Sequence, residues 1–187
     1  MARRDEELEA RILELLDEHK TMAVATLRAD GWPQATLVGY VHHGLDLYFV
    51  VAAGSQKAAN ITHDGRVSIA LGHEAPTRLR GLSMAALAEV VTDLAEIEAI
   101  DALLADRYAG QAPFSPRATN SVLIRATPTI VSIIDVGKGP GEPQLVSVAD
   151  ATPAGSVEAR GAGGRVRRVT VHTVRSDHGG YRPGAPP

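Results

Sequence analysis

Leu45-Asp46-Leu47-Tyr48-Phe49-Val50-Val51-Ala52-Ala53-Gly54-Ser55-Gln56-Lys57-Ala58-Ala59-Asn60-Ile61-Thr62-His63-Asp64-Gly65-Arg66-Val67-Ser68-Ile69-Ala70-Leu71 carries the reading of the fold. Leu45 to Ala52 is rich in branched and aromatic residues and reads as a strand. Ser55 is an N-cap residue, so Ser55 to His63 reads as a short helix. Asp64-Gly65 turns the chain, and Arg66 to Leu71 reads as the next strand. At the helix start, Ser55, Gln56 and Lys57 follow a glycine. A helix N-terminus bears about half a positive charge, and Lys57 adds a full one. An anion placed there meets amides, a hydroxyl and an ammonium together. The same residues also make an ordinary capped helix with a solvated lysine, and the motif alone leaves both readings open.

Upstream, residues 5–19 predict a helix, with Leu8, Ile12, Leu15 and Leu16 on one stripe. Asp5, Glu6 and Glu7 fall in its expected first turn, and His19 and Lys20 close it. Met22 to Leu27 reads as a strand ended by Asp30-Gly31, and Pro33 to Val41 as a second. Downstream, Arg80 to Val91 is open to helix or strand. Leu82, Met84, Ala86 and Ala88 alternate with Ser83, Ala85, Leu87 and Glu89, which decides for a long strand. Leu94 to Tyr108 predicts a helix stopped by Gly110 and Pro113. Val122 to Val136 predicts a last long strand, bent or at an edge at Pro128, because proline cannot donate to a ladder. Six short strands with tight turns and three helices do not follow the rhythm of a parallel sheet. They predict a mainly β fold with flanking helices, a small antiparallel barrel.

The chain has 187 residues and no cysteine. That excludes a disulfide framework, cysteine-ligated zinc, an iron–sulfur cluster and a thiol nucleophile. Any redox chemistry therefore belongs to a bound cofactor. One Trp, four Tyr and two Phe leave the core to aliphatic residues. Few rings can stack on a planar cofactor; Trp32 and Tyr40 are the nearest candidates. The net charge of -3 gives no basic footprint for nucleic acid, and no apolar run reaches membrane-span length. The N-terminus turns acidic where a signal peptide turns apolar, so a cytoplasmic protein is expected. Asn60-Ile61-Thr62 fits a glycosylation pattern that is idle in that compartment. After about residue 145 the composition shifts to Gly, Pro and Arg. The reading is a barrel domain over 1–145 and an extension over 146–187, flexible or adding one strand at Val166 to Val174.

Other motifs fail on context. Gly137-Lys138-Gly139-Pro140-Gly141 follows a strand but has prolines around it and no helix after it, so it is no phosphate loop. Gly81-Leu82-Ser83-Met84-Ala85 lacks the final glycine and the strand-to-helix turn of a nucleophile elbow. The seven histidines show no metal-ligand spacing.

From residue 12 to about 136 the chain resembles the pyridoxamine 5'-phosphate oxidase-like family of FMN-binding split barrels. The resemblance runs through Met22-Ala23-Val24-Ala25-Thr26-Leu27, Asp30-Gly31-Trp32-Pro33, Leu47-Tyr48-Phe49-Val50-Val51, Gly54-Ser55-Gln56-Lys57-Ala58 and Asp64-Gly65-Arg66-Val67-Ser68-Ile69. It implies a six-stranded antiparallel split β-barrel of Greek-key type, and a homodimer with FMN at the interface. By the same resemblance, Ser55 and Lys57 match phosphate positions. Thr36 stands where the oxidases place an Arg, and Gln56 where they have a second basic residue. Val50 and Val51 replace a Tyr-Thr pair beside the flavin, and Arg80 falls where flavin-contacting polar groups cluster. An FMN phosphate carries close to two negative charges. Losing two Arg forks removes charge-assisted bonds worth roughly 1.5–3 kcal/mol each, which keeps deazaflavin and haem open as alternative cofactors. The Arg-Leu-x-Pro substrate motif of the true oxidases is absent. The expectation is an FMN-dependent oxidoreductase acting on an unidentified small molecule. The alternatives are a non-catalytic flavin- or haem-binding carrier or sensor, and a deazaflavin-dependent reductase.

Overall fold

A computed structural model describes residues 2–75, 78–109, 120–135, 144–148 and 169–170. Helix α1 (Ala2–Glu18) is followed by β1 (Thr21–Leu27), β2 (Pro33–Gly39), β3 (Val41–His43) and β4 (Asp46–Ala52). Then come α2 (Gln56–His63), β5 (Arg66–Ala75), β6 (Arg78–Val90), α3 (Leu94–Arg107), β7 (Ser121–Asp135), β8 (Gln144–Val148) and β9 (Val169–Thr170).

The sheet is antiparallel throughout, in the order β2-β1-β5-β6-β7-β4-β3, with β8 on β7 and β9 on β8. β2 and β4 lie far apart on this path, yet residues of both line one pocket. The sheet is therefore curled into a split barrel, as expected. Inside it lie Val24, Ile69, Leu82, Met84, Phe49, Ile124 and Val131, all but inaccessible to water. Burying each such side chain contributes about 1.5–3 kcal/mol. The α1 stripe of Leu8, Ile12, Leu15 and Leu16 packs into the same core. A second cluster fixes α3: Ile100 and Leu104 pack on Val41, Tyr48, Val91 and Leu123.

The strand reading of Arg80 to Val91 holds. Leu82, Met84, Ala86 and Ala88 are buried while Leu87 is exposed. Pro128 sits at a β-bulge: Ala85 pairs with Ile130 and Ala86 with Pro128, leaving Thr129 over. On the other face of β7, pairing with β4 ends at Ala126 and pairing with β8 starts at Ile130. The missing N–H of Pro128 thus falls where no ladder needs it.

Three expectations need correction. The strand expected over Pro33 to Val41 breaks at Tyr40, so the continuous path has seven strands rather than six. Tyr40 is fully buried, and its N–H turns out of the ladder to the Tyr108 hydroxyl, 2.8 Å away. Its own hydroxyl donates to Leu16 O at 2.8 Å. Helix α1 begins at Ala2, ahead of the expected Asp5. Its C-terminal carbonyls are met both by His19, whose Nδ1 donates to Leu15 O at 2.9 Å as expected, and from another helix. Arg107 of α3 donates to the oxygens of Leu16, Asp17 and His19. Finally, β5 runs on to Ala75, because its hairpin with β6 pairs out to Ala75 and Arg78.

β8 was not anticipated, and β9 falls inside the expected Val166 to Val174 strand. The glycine-rich stretch 137–141 and most of 146–187 lie outside the described residues.

Candidate functional site

A pocket of about 430 Å³ opens where the barrel splits, within the size range of small-molecule sites. Its floor comes from alternate residues of β2 (Gln34, Thr36, Val38) and from Val50, Val51 and Ala52 of β4. One end is the N-terminus of α2, with Ser55, Gln56 and Lys57. The opposite wall is α3, through Asp101, Leu104, Ala105 and Tyr108.

The α2 end is built for an anion. Ser55 is the N-cap, with extended φ and ψ of -76° and 153°, and its Oγ accepts from Ala58 N at 3.2 Å. Its hydroxyl proton is then free to donate into the pocket. No acidic side chain occupies the first turn of α2, so the positive end of the helix is not neutralised from within. Lys57 is half-buried, and desolvation lowers its pKa below the usual lysine value. Among the described residues nothing compensates that ammonium. Thr36 Oγ1 is buried with no hydrogen-bond partner. A buried hydroxyl without a partner is costly, and Thr36 lines this same pocket. These groups fit the phosphate of a phosphate-bearing cofactor: two hydroxyls and an ammonium, all able to donate, line the same pocket.

The rest of the lining is largely aliphatic, with the Tyr108 ring at the far end. Tyr108 is held tightly. Its hydroxyl accepts from Tyr40 N, and its proton faces the oxygens of Lys20 and Tyr40. At the other end of α3, Glu96 accepts from the Tyr48 hydroxyl at 2.8 Å and from Arg125 at 2.7 Å. Desolvation and this acceptor push the Tyr48 phenol up, and the Glu89 and Glu96 carboxylates push Arg125 up. The α3 wall is thus anchored at both ends.

Six of the seven residues expected at the cofactor come together here: Thr36, Val50, Val51, Ser55, Gln56 and Lys57. Arg80 is not in the lining. Its guanidinium lies on α1, donating to Glu18 at 3.0 Å with Glu14 at 3.8 Å. Trp32 is 72% exposed at the head of β2, and Leu37 on the pocket rim is 76% exposed. Tyr40 is enclosed in the core and is not available for stacking.

Sequence reasoning missed Gln34, Asn60, Asp101 and Tyr108. Asn60 entered only as a glycosylation pattern. It is 1% exposed on α2, where no glycan can be attached. Its spacing of four from Gln56 was the available signal.

No group of metal-ligating side chains occurs among the described residues. No helix among them is long and apolar enough to cross a membrane.

The family model of pyridoxamine 5'-phosphate oxidase matches residues 8–135. No curated protein matches the sequence. Among solved structures, an F420 reductase is 30% identical with a TM-score of 0.53, covering 64% of this chain and 94% of its own. The conserved hypothetical protein Rv2991 from Mycobacterium tuberculosis is 25% identical with a TM-score of 0.62, covering 78% and 94%. A haem-binding protein from Mycobacterium smegmatis, 24% identical with a TM-score of 0.62, covers 74% and 56% and shares the fold. Matched over well more than half its length, the chain belongs to the pyridoxamine 5'-phosphate oxidase family.

Proposed function

We propose that the protein is an FMN-dependent oxidoreductase acting on a small molecule, with the FMN phosphate at the N-terminus of α2. The observation that carries this reading is that Lys57, Ser55 and Thr36, whose Oγ1 is buried without a partner, line one pocket. Family membership supports a flavin as the phosphate's owner.

Bound there, a flavin supplies hydride and electron transfer. The chain's own residues bind and orient. Ser55, Lys57 and Thr36 hold the phosphate, while Val50, Val51 and Val38 offer an aliphatic bed for the ring system. Leu104 and Ala105 exclude water along the opposite wall. The exposed Leu37 on the pocket rim supports a homodimer in which a second subunit covers the cofactor.

A deazaflavin is the second reading. It is favoured by the 30% identity to an F420 reductase and by the single cation in the pocket.

The test is the visible spectrum of the purified protein, alone and with FMN added. A bound-flavin spectrum that bleaches with a nicotinamide donor supports the first reading. Binding of deazaflavin but not FMN supports the second. A Soret band, or no binding of either, overturns both.

A further inference from the structure

A chain of side-chain amides runs from buried Thr26 and Asn60 to half-buried Gln34 and exposed Gln56 at the anion end of the pocket, and the Thr26 hydroxyl sets its direction. The Thr26 hydroxyl donates to the main-chain oxygen of Gln34 at 3.5 Å. A carbonyl only accepts, so the Thr26 proton is spent there and Thr26 must accept from its other neighbour. That neighbour is Asn60, whose Nδ2 donates to Thr26 Oγ1 at 2.9 Å. The second Nδ2 hydrogen goes to Gln34 Oε1 at 3.2 Å. Asn60 Oδ1 is left for Gln56, which donates to it from Nε2 at 2.8 Å. Asn60 therefore has every polar atom engaged, inside a helix that offers it no water.

The consequence lies at Gln34. With its Oε1 tied to Asn60, both Nε2 hydrogens remain for the pocket that Gln34 lines. A reversed amide would present an oxygen there and repel an anion. We propose that Asn60 is a positioning residue, anchored by Thr26, that holds Gln34 with its N–H donors toward the anion. Gln34 is then a further phosphate ligand. Gln56 is held by the same carboxamide one turn away, so one buried group orders both glutamines of the site. The proposal rests on the phosphate-site reading above.

The experiment measures Kd for FMN and for riboflavin, which lacks the phosphate, in the wild type, Gln34→Leu, Asn60→Ala and the double variant. The isosteric Thr26→Val covers the case in which Asn60→Ala does not fold. The expected result is an FMN affinity lower by about tenfold in Gln34→Leu and by several-fold in Asn60→Ala and Thr26→Val, at the low end for a bond to a charged group. Riboflavin affinity stays unchanged, and the double variant is no weaker than Gln34→Leu alone. Full FMN affinity in folded Asn60→Ala or Thr26→Val, equal losses for riboflavin, or additive losses overturn the proposal. A wild type that binds FMN no better than riboflavin overturns it while leaving the flavin reading standing. A wild type that binds neither removes the flavin reading itself.

Discussion

The hydroxyl of Tyr108, at the end of α3, accepts the main-chain N–H of Tyr40 at 2.8 Å across 68 residues of sequence. That bond ends β2, starts the β3 hairpin and sets the far wall of the pocket. Tyr108→Phe leaves the Tyr40 N–H with only a 3.4 Å contact to Lys20 O. It should cost about 1–2 kcal/mol of unfolding free energy, measured by urea denaturation. An unchanged midpoint would separate the strand break from this bond.

Gly39 lies beneath the same ring. A Cβ there would stand 3.0 Å from the Tyr108 oxygen and 3.3 Å from Cζ. The anchored phenol cannot swing aside without losing its bonds, so Gly39→Ala should destabilise the protein and loosen α3. Hydrogen exchange over 94–107 should quicken while that of β5 and β6 does not.

How much of this was legible in advance depends on how local each cause is. The α1 stripe and the alternation in Leu82, Met84, Ala86 and Ala88 are periodic signals, and both faces came out as read. The Ser55 cap was equally plain, because an N-cap acts on amides within one turn. Tyr40 was not: nothing around Pro33 to Val41 says that a phenol from α3 will claim its N–H. Arg80 was misjudged for a related reason. Its strand position was right, but its direction depends on Glu14 and Glu18 of a helix far away in sequence. Pro128 announced an irregularity, and only the register of three strands shows that a bulge absorbs it. At the pocket, the charged and capping residues were visible as a motif. The amide chain through Asn60 was not, since it joins β1, β2 and α2 only once they are folded.

Asp64 closes α2 through its main-chain N–H, which donates to Asn60 O at 2.8 Å, and its carboxylate accepts the Arg66 main-chain N–H and guanidinium. Those bonds lower its pKa to about 2. An aspartate depressed in the folded state adds stability above its unfolded pKa of about 3.9, and that stability is lost as pH falls through the folded value. Thermal melts should thus lose stability between about pH 4 and pH 2. Asp64→Asn should be less stable at neutral pH and show a flatter acid limb. An unchanged acid limb in Asp64→Asn would refute the assignment.

Lys57 gives a prediction at the other end of the scale. Its pKa is lowered by desolvation in the free protein, and a bound phosphate restores it. The ammonium form binds the anion, so FMN affinity should be full at neutral pH. It should fall as pH rises past the lowered Lys57 value, before an ordinary lysine would titrate. Fluorescence titrations over the alkaline range should show this fall in the wild type and its absence in Lys57→Met. A parallel fall in both proteins would assign the titration elsewhere.

The second subunit is tested through the pocket rim. Sedimentation should give about twice the 19.7 kDa chain mass. Leu37→Asp, at an exposed apolar position beside the pocket, should shift the protein toward monomer and weaken FMN binding together. A wild-type monomer at micromolar concentration would remove the interface from the account.

The most direct measurement is a calorimetric FMN titration of the wild type beside Lys57→Met. The account predicts saturable binding to the wild type, and a loss of about 1.5–3 kcal/mol, roughly 10- to 150-fold in Kd, in the variant. FMN affinity that is the same in both proteins, or no FMN binding by the wild type, would contradict it.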